Sequence, residues 1–121
     1  MLSLLAPRGY VQVFKNKMVI SIPSRGISVV KEANFSHSRM LVGEFEIAEQ
    51  LLKEGIKEAY SGGILLTRPQ IIMHPKESLE GGFTMIEQRV LRELALGAGA
   101  AKTYIRIGQD LSKEEVEAFK E

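Results

Sequence analysis

The sequence predicts a single α/β domain, residues 1–121, with a mixed sheet in βββαβαβ order and helices packed on it. Three observations predict this. The first third carries short β-branched runs separated by turn residues, two later stretches change to helical spacing, and each of those is followed by another short apolar run. A chain of 121 residues, 45% hydrophobic and 26% charged, can bury a core of its own.

Met1 to Ala6 is apolar but far shorter than a membrane span and lacks the basic flank of an anchor, so it reads as a first strand. Tyr10 to Phe14 alternates and stops at Lys15-Asn16-Lys17; Met18 to Ile22 follows, and Pro23-Ser24-Arg25-Gly26 turns the chain into Ile27 to Val30. These runs form an antiparallel meander. Lys31 to Arg39 has no apolar period and reads as an exposed, mobile loop that Phe35 pins to the core.

From Glu44 to Tyr60 the spacing is helical, with Phe45, Ala48, Leu52, Ile56 and Ala59 on one stripe, and Ser61-Gly62-Gly63 ends the helix. Gln70 to His74, a continuous apolar run before Pro75, suits a central strand covered on both faces. Thr84-Met85-Ile86-Glu87 has the form of a capping box, so a second helix starts near Thr84. Its buried stripe is predicted as Ile86, Val90, Leu91, Leu94 and Ala98, with Gly97 to Gly99 as the stop. Lys102 to Ile107 is a last strand, and Ser112-Lys113-Glu114-Glu115 starts a polar terminal helix. The expected core comprises Val11, Val13, Val19, Phe45, Leu52, Ile56, Ile72, Ile86, Val90, Leu94, Tyr104 and Ile105.

Sixteen basic residues against 15 acidic ones give a net charge of +1, which supplies no field to attract nucleic acid. There is no cysteine, so disulfides and thiolate metal sites are excluded and a cytoplasmic location is expected.

The run Gly82 to Ala100, GFTMIEQRVLRELALGAGA, resembles the bacterial rod-shape-determining actin homologues, the MreB family. That family's pattern is G-x-T-x-x-E-x-R-x-x-R-E-x-A-x-x-A-G-A, and every specified position is met. Val42 to Pro75 is similar more loosely. The resemblance implies the first subdomain of an actin-like, RNase H-like fold, one lobe of an ATP-holding cleft whose other lobe is not in this chain.

Under the same resemblance, the catalytic positions are altered. The family's acidic residue and Gly-Thr on the first hairpin correspond to Leu4-Leu5-Ala6-Pro7-Arg8, and its Glu-Glu-Pro to Ile107, Gly108 and Gln109. Proline lacks an amide donor and leucine cannot hold a metal shell. Asp110, the only aspartate, lies just beyond.

Other candidate sites have plainer readings. Gly97 to Lys102 resembles a phosphate loop but follows a helix, where glycines serve as a stop. His37 and His74 lack neighbours at zinc-ligand spacing, and the helical glutamates alternate with lysine and arginine as on a solvated face. Arg89 and Arg92 are placed on the exposed side of the second helix beside Glu93, as part of a solvated face or, in the alternative, as charge at a partner interface. No catalytic, cofactor-binding or metal-ligating residue is expected.

The leading expectation is a non-enzymatic interaction module with a protein partner, such as a full-length actin-like relative, and a weak homodimer. A nucleotide-binding enzyme, or a domain cut from a longer chain or left by a decayed gene, are the alternatives.

Overall fold

The computed structural model describes residues 6–61, 68–77 and 84–121. β1 (Gly9–Phe14) and β2 (Lys17–Ile22) pair as a hairpin about Lys15 and Asn16, the latter at φ 54°. Asparagine tolerates this left-handed conformation better than most residues. Its Oδ1 accepts from the Ser36 amide at 2.8 Å.

A single 3-10 turn, Pro23–Arg25, leads into β3 (Ile27–Glu32). Then come α1 (Phe45–Ala59), β4 (Gln70–Pro75), α2 (Met85–Gly97), β5 (Lys102–Ile105) and α3 (Lys113–Ala118).

The strands form one sheet in the order β3-β2-β1-β4-β5. β1, β2 and β3 are antiparallel neighbours, while β1, β4 and β5 are parallel. This is the expected mixed sheet with packed helices, consistent with one actin-like, RNase H-like subdomain. One detail differs: β4 is interior and buried, but β1 holds the middle of the sheet. The predicted strand at Met1 to Ala6 falls almost wholly outside the described residues, and Ala6 precedes β1.

Because successive strand residues point to opposite faces, Val11, Val13, Met18, Ile20, Ile22, Ile71 and Met73 all meet α1 and α2 in one apolar cluster. α1 contributes Ala48, Leu51, Leu52 and Ala59. It lies close to the sheet at Gly55, where an added Cβ would stand 2.4 Å from Ile20 Cδ1. Phe45 and Ile56, predicted as core, are partly buried beside the cluster, because the true stripe is centred nearer Leu51 and Gly55. Val19 is also only partly buried, since it points to the opposite face.

α2 starts as predicted: Thr84 Oγ1 accepts from the Glu87 amide at 3.2 Å. Its buried residues are Leu91, Leu94 and Ala95, with Val90 on the flank. Ile86 is 73% exposed, which corrects the expected core. At about 100° per residue it sits roughly 130° round the helix from the centre of the buried Leu91, Leu94 and Ala95 stripe. The helix stops at Gly97, and Gly99 takes φ 115°. α1 ends at Ala59 with Tyr60 as its cap; Gly62 and Gly63 lie outside the described residues.

The segment after β3 is tied down more firmly than its composition predicts. Phe35 is fully buried, and its carbonyl accepts from the amides of Gly43 and Glu44, both at 2.8 Å. Ser36 Oγ donates to Leu41 O at 2.5 Å and accepts from the Asn16 amide at 3.0 Å, joining the loop to the first hairpin.

α3 covers part of the second face of the sheet, over β1 and β4, while Val30 of β3 on that face stays 58% exposed. Tyr10, Ile72 and Val116 are buried together there, with Tyr104, Leu111 and Phe119 around them. α3 is short but begins with a complete capping box: Ser112 Oγ accepts from the Glu115 amide, and Glu115 accepts from the Ser112 amide.

Candidate functional site

In open α/β sheets, ligands bind outside the carboxyl ends of the parallel strands. Here β1, β4 and β5 end at Phe14, Pro75 and Ile105. The chain beyond them supplies Lys15 and Asn16, Lys76 and Glu77, and the run Arg106 to Asp110. Lys76 Nζ pairs with the Asp110 carboxylate, and Gln12 Nε2 donates to the same oxygen at 3.2 Å. The Lys76 hydrogen bond holds the Asp110 carboxyl below its usual range. Glu77 accepts from the Lys15 amide at 2.5 Å, closing the first hairpin against the end of β4.

A buried hydrogen-bond chain lies just beneath. The Leu111 amide donates to Tyr10 Oη at 3.2 Å, and Tyr10 Oη stands 2.5 Å from His74 Nδ1. His74 Nε2 stands 2.8 Å from Gly108 O. Since a carbonyl only accepts, Nε2 carries the proton; Nδ1 then accepts from the tyrosine in the neutral ring. Burial pushes the imidazole below its usual pKa and the Tyr10 phenol above its own. His74 is therefore a neutral strut that fixes the loop between β5 and α3. Its side chain is fully buried.

The first hairpin turns at Lys15 and Asn16, where the turn residues predict it, so Pro7 and Arg8 precede β1 and lie outside the hairpin to which the resemblance assigned them. β5 ends at Ile105; Ile107 is exposed, and Gly108 takes φ 128°. Of the positions compared with the acidic family residues, none of Pro7, Arg8, Ile107, Gly108 and Gln109 carries a carboxylate; Leu4 and Leu5 lie outside the described residues. His37 sits on the loop after β3, 3.3 Å from Glu44, and His74 on β4, so the structure does not bring the two histidines into one cluster. Among the described residues, no three His, Cys, Asp or Glu side chains converge. Gly97 to Lys102 forms the helix stop and the start of β5. The helical carboxylates pair with bases: Glu49 with Lys53 at 3.9 Å, and Arg89 with Glu93 at 3.3 Å.

Arg92 departs from its expected solvated face. Its two terminal nitrogens grip Glu121 at 2.8 and 2.5 Å, and Glu121 Oε1 also accepts from the Ile105 amide at 2.7 Å. The partners are 29 residues apart, beyond the reach of any helical periodicity. Arg8 was likewise hidden as a contact: Nη1 donates to Val116 O at 2.9 Å and to Phe119 O at 2.8 Å, holding the end of α3.

The sheet order and the helices packed on the sheet make a small α/β domain, consistent with one actin-like, RNase H-like subdomain. Known proteins agree with that class at a distance. The chain is similar to the uncharacterized protein YjaA of Escherichia coli strain K12, 26% identical over 98 residues and covering 77% of each. It is also similar to the cell shape-determining protein MreB of Haemophilus influenzae, 29% identical over 65 residues, and to that of Pasteurella multocida, 28% identical over 65. Each of these two matches covers 54% of this chain but only 17% of the MreB protein. No family model matches. The similarities support a distant actin-like relationship.

Among the described residues, no helix is long and apolar enough to cross a membrane.

Proposed function

We propose that this chain is a non-catalytic interaction or assembly module built on one lobe of an actin-like fold. The observation that carries this reading is the residue set at the carboxyl ends of the parallel strands. Holding a divalent metal and activating water there would require carboxylates. The β1 end instead runs Phe14-Lys15-Asn16-Lys17, and the β5 end runs Ile107-Gly108-Gln109. Among the described residues the two carboxylates present there are both engaged: Asp110 by Lys76 and Gln12, and Glu77, after β4, by the Lys15 amide. A lysine at the hairpin tip is a cation and does not suit a divalent-metal shell.

The partner proposed is a protein, with a full-length actin-like relative as the first choice; the partial likeness to MreB supports that choice. The described residues are proposed to form a weak homodimer and no nucleotide-driven filament, in keeping with the engaged carboxylates at the strand ends. The test joins thermal shift and phosphate release with Mg-ATP to light scattering over a concentration series. No stabilisation, no turnover and no nucleotide-dependent particle growth are expected. Turnover that rises with protein concentration would overturn the reading in favour of an enzyme.

A further inference from the structure

The outer edge of β5 already receives a carboxylate. Arg92 reaches it from α2, the Ile105 amide offers a third donor from the strand itself, and the side chain received is Glu121. Arginine and carboxylate match as a fork, and charge-assisted bonds of this kind are the stronger ones. Neither partner is deeply buried: the Arg92 and Glu121 side chains keep 38% and 34% of their exposure. The contact can therefore exchange with solvent.

The groove beside it is strongly basic. Arg8, Arg92, Lys102 and Lys120 line it, and among the described residues Glu121 is its one acidic side chain. Arg8 and Lys102 flank the Tyr104 ring, at 5.1 and 5.2 Å from its centroid. Among the described residues, neither Lys102 nor Lys120 has a carboxylate at ion-pair distance. Thr103 Oγ1, on the same strand, is buried without a hydrogen-bond partner. Four cations thus surround one carboxylate, in a chain whose net charge is only +1.

β5 is also a sheet edge, paired on one side with β4. A free strand edge offers main-chain donors and acceptors at the spacing of another extended chain.

We propose that the β5 edge is a docking groove for an acidic, extended peptide segment of a protein partner, and that Glu121 occupies its carboxylate notch in the absence of that partner. One acidic side chain of the segment replaces Glu121 on Arg92 and the Ile105 amide, and others meet Lys102 and Lys120. The proposal rests on the interaction-module reading and names the chemistry of the partner. A phosphorylated small molecule fits the charge but makes no use of the strand edge.

The test titrates the full chain with a short acetylated peptide of alternating glutamate and valine, with the glutamine counterpart as control. The glutamate peptide is expected to bind about tenfold more tightly than the control, and more weakly as salt is raised. Glu121→Ala removes the competitor in cis and is expected to tighten binding at least about threefold. Arg92→Ala is expected to weaken it about tenfold. Lys102→Glu, away from the core, does the same without touching the notch, and the thermal midpoint of each variant checks that it folds.

Equal binding of the two peptides, no binding of either, or an affinity unmoved by Glu121→Ala would each overturn the proposal. Displacement of the peptide by equimolar inorganic phosphate would also overturn it, leaving a plain anion patch. These outcomes are separable from failure of the parent reading, which shows as ATP turnover by the unmodified chain whatever the peptides do.

Discussion

The sheet face under α1 and α2 is packed with aliphatic side chains, whereas the face under α3 is held by a few directional contacts around Tyr10, His74 and Arg8. The first cluster unites side chains from two helices, four strands and the loop carrying Phe35. The second has three buried apolar members, and a six-residue helix that could not stand alone. The difference teaches where tolerance should lie. Apolar packing is non-directional and loses stability in proportion to volume removed, while a buried hydrogen-bond chain fails when any one member leaves.

The largest effect should come from the packed face. Leu94→Ala, at a fully buried position, is expected to cost about 2–5 kcal/mol in denaturant unfolding. A loss of only a few tenths would break the comparison by showing that α2 is not a core helix. Gly55→Leu on the same face is expected to cost about 1–3 kcal/mol, because the new side chain must displace Ile20.

On the α3 face, Tyr10→Phe keeps the ring but strands the Leu111 amide and His74 Nδ1. A cost of about 1–3 kcal/mol is expected. Faster hydrogen exchange at Leu111 and Val116, with the α1 amides unchanged, would sharpen the contrast between the faces. Uniform acceleration throughout the chain would erase it.

Acid should select the same face. Burial lowers the folded pKa of His74, so below its ordinary value of 6.5 the unfolded chain binds more protons than the folded one. The stability that neutral His74 contributes is complete above that value and is lost as pH falls through the lower folded pKa. The thermal midpoint should therefore drop as pH is taken from 7.5 through 6.5 and downward. His74→Gln should flatten that part of the curve, and an unchanged slope in this variant would remove His74 as its cause.

The smallest effect belongs to Ile86→Ala, expected within about 0.5 kcal/mol because the side chain is exposed. The consecutive residues Thr84, Met85 and Ile86 carried a correct helix start and a wrong core assignment together. The start depends on a hydroxyl three residues from an amide, a relation within one turn. Core membership depends on which way the helix faces, and Leu91, Leu94 and Ala95 outvoted Ile86 in that orientation.

The candidate site was legible only as residue types. The lack of carboxylates in the runs compared with the catalytic motifs could be read directly, and the turn residues put the hairpin tip at Lys15 and Asn16; only the correspondence of Leu4 to Arg8 with the family's first hairpin failed, because Pro7 and Arg8 precede β1. Nothing in the local pattern marks His74 as a strut or Arg92 as a carboxylate receptor.

Element order and helix starts follow from the chain's own periodicity and turn residues, because those signals act over a few positions. Strand order, by contrast, brings Tyr10 beside His74 across 64 residues and Arg92 beside Glu121 across 29, and only the assembled sheet decides such meetings. The physical reason is range: backbone preference and amphipathic spacing are written between near neighbours, whereas a buried polar partner is chosen by the packing of elements distant in sequence.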